Sequence, residues 1–249
     1  MDKKILIANW KANPAALKDA EHLFHETMKA AKKHPRVTVI ICAPFVYLPR
    51  FGSHAAVQLG AQDMFWESGP HTGQIPAAML IQFGVSHVLV GHSERRALGE
   101  TDEQINKKLK AVLLAGMTPV LLIGEPEKND AIRQDMLIDQ ITRDLEGVGK
   151  EQAQQILYTF EPAWAISTTS GNKAESLDNI VVGTEMMRDI LQKMYSTDRA
   201  AFSMLYGASV NVDNVHQILS RPELMGAVVG GASLRAEEFG RMIEIVAKL

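Results

Sequence analysis

Lys4-Ile5-Leu6-Ile7-Ala8-Asn9-Trp10-Lys11 opens the chain with a short apolar strand that ends in three polar or bulky residues. Its apolar run is continuous rather than alternating, which is what a parallel strand covered on both faces requires. An open doubly wound sheet would place a Gly-rich phosphate turn directly after this strand. Asn9-Trp10-Lys11 is nothing like such a turn.

Working outward, the same unit recurs. Asn13-Pro14 reads as an N-cap and a proline at the first helical position, and Leu17, Leu23, Phe24, Met28 and Ala31 follow at helical spacing. Further strands are expected at 37–42, 57–61, 87–90, 118–123, 156–160, 201–206 and 226–229. Helices fall between them: a short one after Pro44, one from Pro76, and one opened by the capping box Thr101-x-x-Gln104. Another carries Ile132, Met136, Ile138, Ile141 and Leu145. The next carries Ile180, Met187, Leu191 and Met194, a short one spans about 212–219, and the last carries Phe239, Met242, Ile243 and Val246. Eight strand–helix units in 249 residues, with no linker or low-complexity break, predict an α/β fold: one closed (β/α)8 barrel domain over residues 1–249.

Composition narrows the function classes. Apolar residues make up 46% and charged residues 22%, and 26 Lys and Arg against 29 Asp and Glu leave a net charge of −3. That balance provides no electrostatic footprint for nucleic acid or for an anionic membrane. The longest apolar runs are far short of a membrane span, and the N-terminal run is too short for a signal peptide. The single cysteine, Cys42, reads as a buried small hydrophobe and fits a reducing, cytoplasmic compartment.

In a closed barrel the C-terminal ends of all strands meet on one face, and sites are built there. This gathers Asn9 and Lys11, His92 and Glu94, Glu161, Gly207 and Ser209, and Gly230 and Gly231 onto one rim. Each also has a structural reading. Lys11 can be a surface lysine, His92 a loop histidine, Glu94 a partner for Arg95 or Arg96, and Glu161 a solvated strand end before Pro162. Together they supply a base, an electrophile, a cation and a phosphate cradle. Gly230-Gly231 lets backbone approach closely, and the turn after it presents free N–H groups to an anion. The eight histidines put no two on the rim at ligand spacing, so no metal is expected. No Gly-x-Ser-x-Gly elbow exists for a serine nucleophile. The loop at 62–75 carries Met64, Phe65 and Trp66, apolar bulk that either packs against a partner subunit or folds over its own barrel.

Five segments, in order, resemble the signatures of the triosephosphate isomerase family: Asn9-Trp10-Lys11, 91–96 (Gly-His-Ser-Glu-Arg-Arg), 160–166 (Phe-Glu-Pro-Ala-Trp-Ala-Ile), 206–211 (Tyr-Gly-Ala-Ser-Val-Asn) and 229–234 (Val-Gly-Gly-Ala-Ser-Leu). The resemblance implies a TIM barrel and a cofactor-free, homodimeric enzyme of the cytoplasm, in glycolysis and gluconeogenesis. Its substrate would be a small phosphorylated sugar, with dihydroxyacetone phosphate and glyceraldehyde 3-phosphate interconverted through an enediolate. Following the roles known for that family, it implies Glu161 as base and a neutral His92 as electrophile. It further implies Lys11 as the cation, Asn9 as a hydrogen-bond partner, and Glu94 close to the site without being the base. Residues 162–172 would form a lid. Ser209, Gly230, Gly231 and the Ser167 backbone would hold phosphate, and Thr72 would reach the partner's site. The chain departs from the family pattern at 167–173, which is longer and poorer in glycine, and at Leu122, Ala208 and Met225. Two alternatives share these residues: an isomerase of a four-carbon ketose phosphate, and a phosphate-ligand binder without catalysis.

Overall fold

The computed structural model describes residues 3–52, 54–166 and 175–249. Eight strands run β1 (Lys4–Asn9), β2 (Val37–Ala43), β3 (Gln58–Ala61), β4 (Val85–Val90), β5 (Thr118–Ile123), β6 (Leu157–Phe160), β7 (Ser203–Tyr206) and β8 (Gly226–Val229). Each pairs in parallel with the next, and β8 pairs back to β1, closing the barrel. The helices are α1 (Leu17–Lys33), α2 (Leu48–Phe51), α3 (Ala77–Ile81), α4 (Ser93–Ala97) and α5 (Asp102–Leu114), followed by α6 (Arg133–Asp144), α7 (Lys150–Ala153), α8 (Leu177–Tyr195), α9 (Val215–Leu219) and α10 (Ala236–Val246).

Both faces of the strands are buried, and the two sets of side chains form separate layers. Ile7, Ile40, Cys42, Leu89, Val120 and Leu122 belong to the cluster that fills the barrel. Their chain neighbours Leu6, Ala8, Val39 and Ile41 belong to the shell under the helices. The strand period of two explains the split, and it is why these strands read as unbroken apolar runs. Cys42 is buried and free, as expected. Leu122 is fully buried in the inner layer.

Three local expectations are corrected. The first helix begins at Leu17 with Ala16 as its N-cap, not at Pro14; the Asn13–Pro14 bond is cis. The Tyr47 hydroxyl donates to the carbonyls of Pro14 and Ala15, at 2.7 and 3.1 Å, and holds that segment outside the helix. In α6 the inward face is Arg133, Leu137, Ile141 and Asp144, while Ile132 and Ile138 are exposed. Two buried charges take places that an apolar-only reading assigns elsewhere. The seventh strand starts at Ser203 because Arg199–Ala201 forms a 3-10 turn capped by the Asp198 carboxylate. The Thr101/Gln104 capping box forms with both of its hydrogen bonds. The loop at 62–75 folds over its own barrel at Met64. Met64 is buried in its own core, whereas Phe65 and Trp66 are half-buried with ring centroids 3.9 Å apart.

Candidate active site

Strand geometry sets the rim. Asn9 is the last residue of β1, and Lys11 follows in the left-handed region at φ 53°. Two contacts hold that turn. The Lys11 N–H donates to Asn9 Oδ1 at 3.1 Å, and the Gln62 amide donates to the carbonyls of Lys11 (2.8 Å) and Cys42 (2.9 Å). The Lys11 ammonium is thereby aimed across the rim, where it pairs with Glu94 Oε1 at 2.5 Å.

After β4, Gly91 turns the chain at φ 76°, and His92 caps the N-terminus of α4. His92 Nδ1 accepts the Glu94 backbone N–H at 3.1 Å. Nδ1 is therefore unprotonated, and the ring so bonded is the neutral tautomer with its proton on Nε2. Nε2 lies 3.2 Å from Glu161 Oε1.

Glu161 follows β6, and its N–H donates to the Ile123 carbonyl at 2.8 Å. Its side chain is 3% exposed. Burial raises its pKa, opposed by His92, by the Ser93 N–H that donates to Oε2 at 2.9 Å, and by Lys11. A carboxylate kept in place by two donors while burial strengthens it as a base suits proton transfer near neutral pH. Gly207 makes room for it. A Cβ there would sit 2.5 Å from Thr159 Cγ2 and 3.6 Å from the Glu161 Cβ.

Beyond β8, residues Gly231–Leu234 form a 3-10 turn, and Ser233 ties it down through its hydroxyl and N–H to the Gly230 carbonyl, at 2.7 and 2.9 Å. Gly230 lies against the Lys11 stem, and nothing stands within 4 Å of where a Gly231 side chain would begin. One cavity is lined by Asn9, Lys11, His92, Glu161, Gly207 and Gly230, so the rim residues expected from the sequence do converge. Ser209 is placed differently. Its hydroxyl donates to the Ala165 carbonyl at 2.6 Å, anchoring the segment after Glu161. Thr72 is exposed on its loop, away from this cavity. Ser167 and the rest of 167–174 lie outside the described residues. Among the described residues no group of three or more His, Cys, Asp or Glu could hold a metal ion.

The sequence reading missed three contributors. Gln62 stands directly after β3, on the same rim, and that position was the available signal. Glu125, after β5, accepts the Trp164 indole N–H at 3.1 Å, and Arg133 donates to it through Nε (2.9 and 2.8 Å) and Nη2 (2.7 Å). Glu125 and Arg133 are both buried, and only their pairing across elements gives them a role.

A closed (β/α)8 barrel whose C-terminal rim brings together a histidine, a buried carboxylate and a lysine has groups suited to moving protons, the chemistry of an isomerase. Comparison with known proteins is specific. A family model described as triosephosphate isomerase matches residues 4–246. The triosephosphate isomerase of Dictyoglomus thermophilum is 36% identical over 252 residues, covering 98% of this chain and all of that protein. That of Rhodopirellula baltica is 38% identical over 253 residues, covering 98% of each. The crystal structure of the Bartonella henselae enzyme superposes with a TM-score of 0.81 at 27% identity and covers 98% of both chains. The chain belongs to the triosephosphate isomerase family, and it is an isomerase of triose phosphates.

Proposed function

We propose that this chain interconverts dihydroxyacetone phosphate and glyceraldehyde 3-phosphate with Glu161 as the base and His92 as the electrophile. Glu161 takes a proton from the carbon beside the carbonyl. His92 Nε2–H donates to the carbonyl oxygen and stabilises the enediolate that forms. Glu161 then returns the proton to the former carbonyl carbon, while the hydroxyl proton passes from its oxygen to the former carbonyl oxygen by way of His92 Nε2, so no net proton is consumed. Substrate arrival competes for the His92 proton that now faces Glu161 Oε1, which frees that oxygen to act. Lys11 supplies positive charge to the anionic substrate, and Asn9 sets the Lys11 turn. Gly230, Gly231 and the turn after them receive the phosphate, with Ser209 and the Ser167 backbone closing over it.

The observation that carries this reading is the buried Glu161 carboxylate 3.2 Å from a His92 Nε2 whose other nitrogen is already an acceptor. In the same reading the chain works as a cytoplasmic homodimer. The half-buried Phe65–Trp66 pair covers the partner, and Thr72 reaches toward the partner's site. Among the described residues no helix is long and apolar enough to cross a membrane. The test is turnover of Glu161→Ala in a coupled assay on dihydroxyacetone phosphate. Loss of a general base lowers kcat by about 10²–10⁴-fold while substrate binding changes little. Turnover at the parent rate would refute the assignment, and sedimentation of a Thr72→Glu variant as an unchanged dimer would refute the interface.

A further inference from the structure

A second concavity opens at the other end of the strands that carry the rim. Its edges are Lys4, where β1 starts, Ser203, where β7 starts, and Met225, just before β8. Its volume is about 1260 Å³, as large as pockets that enclose small organic ligands. Phe202, Met204 and Leu224, all buried, give it an apolar floor.

Its rim is basic on a chain whose net charge is −3. Lys3, Lys4, Arg36, Arg188 and Arg199 line the cleft, with Glu223 the one acidic side chain among the lining residues. Their partners are unevenly supplied. Arg199 pairs with Glu185 and, at 3.3 Å, with Asp189. Arg188 Nη1 also goes to Glu185, at 2.6 Å, and Nη2 donates to the Glu223 carbonyl at 2.8 Å. Arg188 Nε is buried and has no hydrogen-bond partner among the described residues. The Lys4 ammonium donates to the Leu224 carbonyl at 2.6 Å, and burial lowers its pKa. Lys3 and Arg36 take part in no ion pair with a described residue. Glu185, Asp189 and Glu223 pair with Arg188, Arg199 and Arg221, which leaves Lys3, Lys4 and Arg36 beside an apolar hollow that Leu249 also lines.

Basic side chains without an ion-pair partner among the described residues, set over an apolar floor, are complementary to one kind of ligand. We propose that this cleft binds a small phosphorylated molecule with an apolar or aromatic body, the phosphate at Arg36 and Lys4 and the body on Phe202, Met204 and Leu224. The site is separate from the catalytic rim, since β1, β7 and β8 run from one to the other along their whole length.

Calorimetric titration with ADP and with inorganic phosphate tests this on the full chain, its Lys11→Ala variant and its Arg36→Glu variant. Arg36 is exposed and outside the catalytic machinery, so Arg36→Glu keeps its thermal midpoint and its turnover. ADP is expected to bind once per chain to the parent and to Lys11→Ala with the same Kd. Arg36→Glu weakens it by roughly tenfold or more, the effect of a lost charge-assisted contact and a new repulsion. Inorganic phosphate, lacking a body to cover the floor, binds more weakly than ADP. Three results overturn the proposal: no ADP binding up to about 5 mM, binding abolished by Lys11→Ala and untouched by Arg36→Glu, or phosphate binding as tightly as ADP.

Discussion

Replacing Arg133 with Met isolates the buried pair beneath the segment that follows Glu161. The Glu125 and Arg133 side chains are 2% and 4% exposed. Three contacts of 2.7–2.9 Å join them, and the hydrogen bond to Glu125 raises the Arg133 pKa further. Methionine fills much of the arginine's volume but leaves the carboxylate, among the described residues, with the Trp164 indole, 3.1 Å away. Breaking one side of a buried pair costs about 3–5 kcal/mol, because an uncompensated charge stays in a low-dielectric site. For a chain of this size each kcal/mol shifts Tm by about 2–4 °C, so a drop of roughly 6–20 °C is expected. Removing both partners tells a different story. Glu125→Leu with Arg133→Met takes the desolvation cost away with the attraction, and stability returns to within a few degrees of the parent. The double variant still loses the acceptor for Trp164, so its turnover falls while its stability recovers. Thermal and urea unfolding at one protein concentration, alongside the coupled assay, measure both quantities. The reasoning fails if the single variant melts within about 2 °C of the parent, or if the double variant is as unstable as the single one.

Three further predictions concern the site and its frame. Because burial raises the Glu161 pKa and the base must be ionised, kcat/KM falls as pH drops, with its acid limb centred above the ordinary carboxylate value of 4.5; a limb at or below that value in the pH–rate profile would contradict the burial argument. Asp144, fully buried beside Arg96, has its pKa pushed up from 3.8 to about 7 by burial, against the pull of Arg96 and with Asp102 adding to the rise. The unfolded chain therefore ionises it first: its contribution is complete below pH 3.8 and is lost as pH rises toward about 7. The Asp144→Asn variant should gain stability relative to the parent across that window in urea titrations, and a flat or reversed difference would count against the shift. Gly207→Ala drives a methyl to 2.5 Å from Thr159 Cγ2 and crowds Glu161, so kcat should fall by about 10–100-fold through misplacement of the base. Adding Thr159→Ser removes the opposing methyl and should restore most of the rate, an outcome that a loss of folding would not give.

How much of this could be read in advance follows from which forces act locally. The barrel was legible because every strand is buried on both faces, which forces unbroken apolar runs such as 119–123 in β5 and 226–229 in β8. Helix ends were less so. The start of α1 is decided by the Tyr47 hydroxyl, 32 and 33 residues away, which takes up the Ala15 and Pro14 carbonyls. The inward face of α6 was misread because Arg133 and Asp144 are buried there, and a charge reads as surface until its partner is known. Those partners lie outside α6: Glu125 follows β5, and Arg96 stands in α4.

The site divides along the same line. Lys11, His92 and Glu161 stood out because each follows a strand, and a closed barrel converts that position into a place on the rim. Their chemical states are set elsewhere. His92 is held neutral by the Glu94 N–H of its own turn. The basicity of Glu161 is a balance between burial, which raises its pKa, and His92, Ser93 and Lys11, which lower it. Those three come from the ends of β4 and β1, and Lys11 reaches its position only because Gln62, after β3, holds the carbonyl of its turn. A sequence pattern can therefore nominate Glu161 as the proposed base, but its basicity is a property of four strands meeting. For that reason a substitution at Gln62, which touches neither Glu161 nor His92 by hydrogen bond, belongs with the catalytic residues in its consequences: it releases the Lys11 turn and with it one of the charges that hold Glu161 ionised.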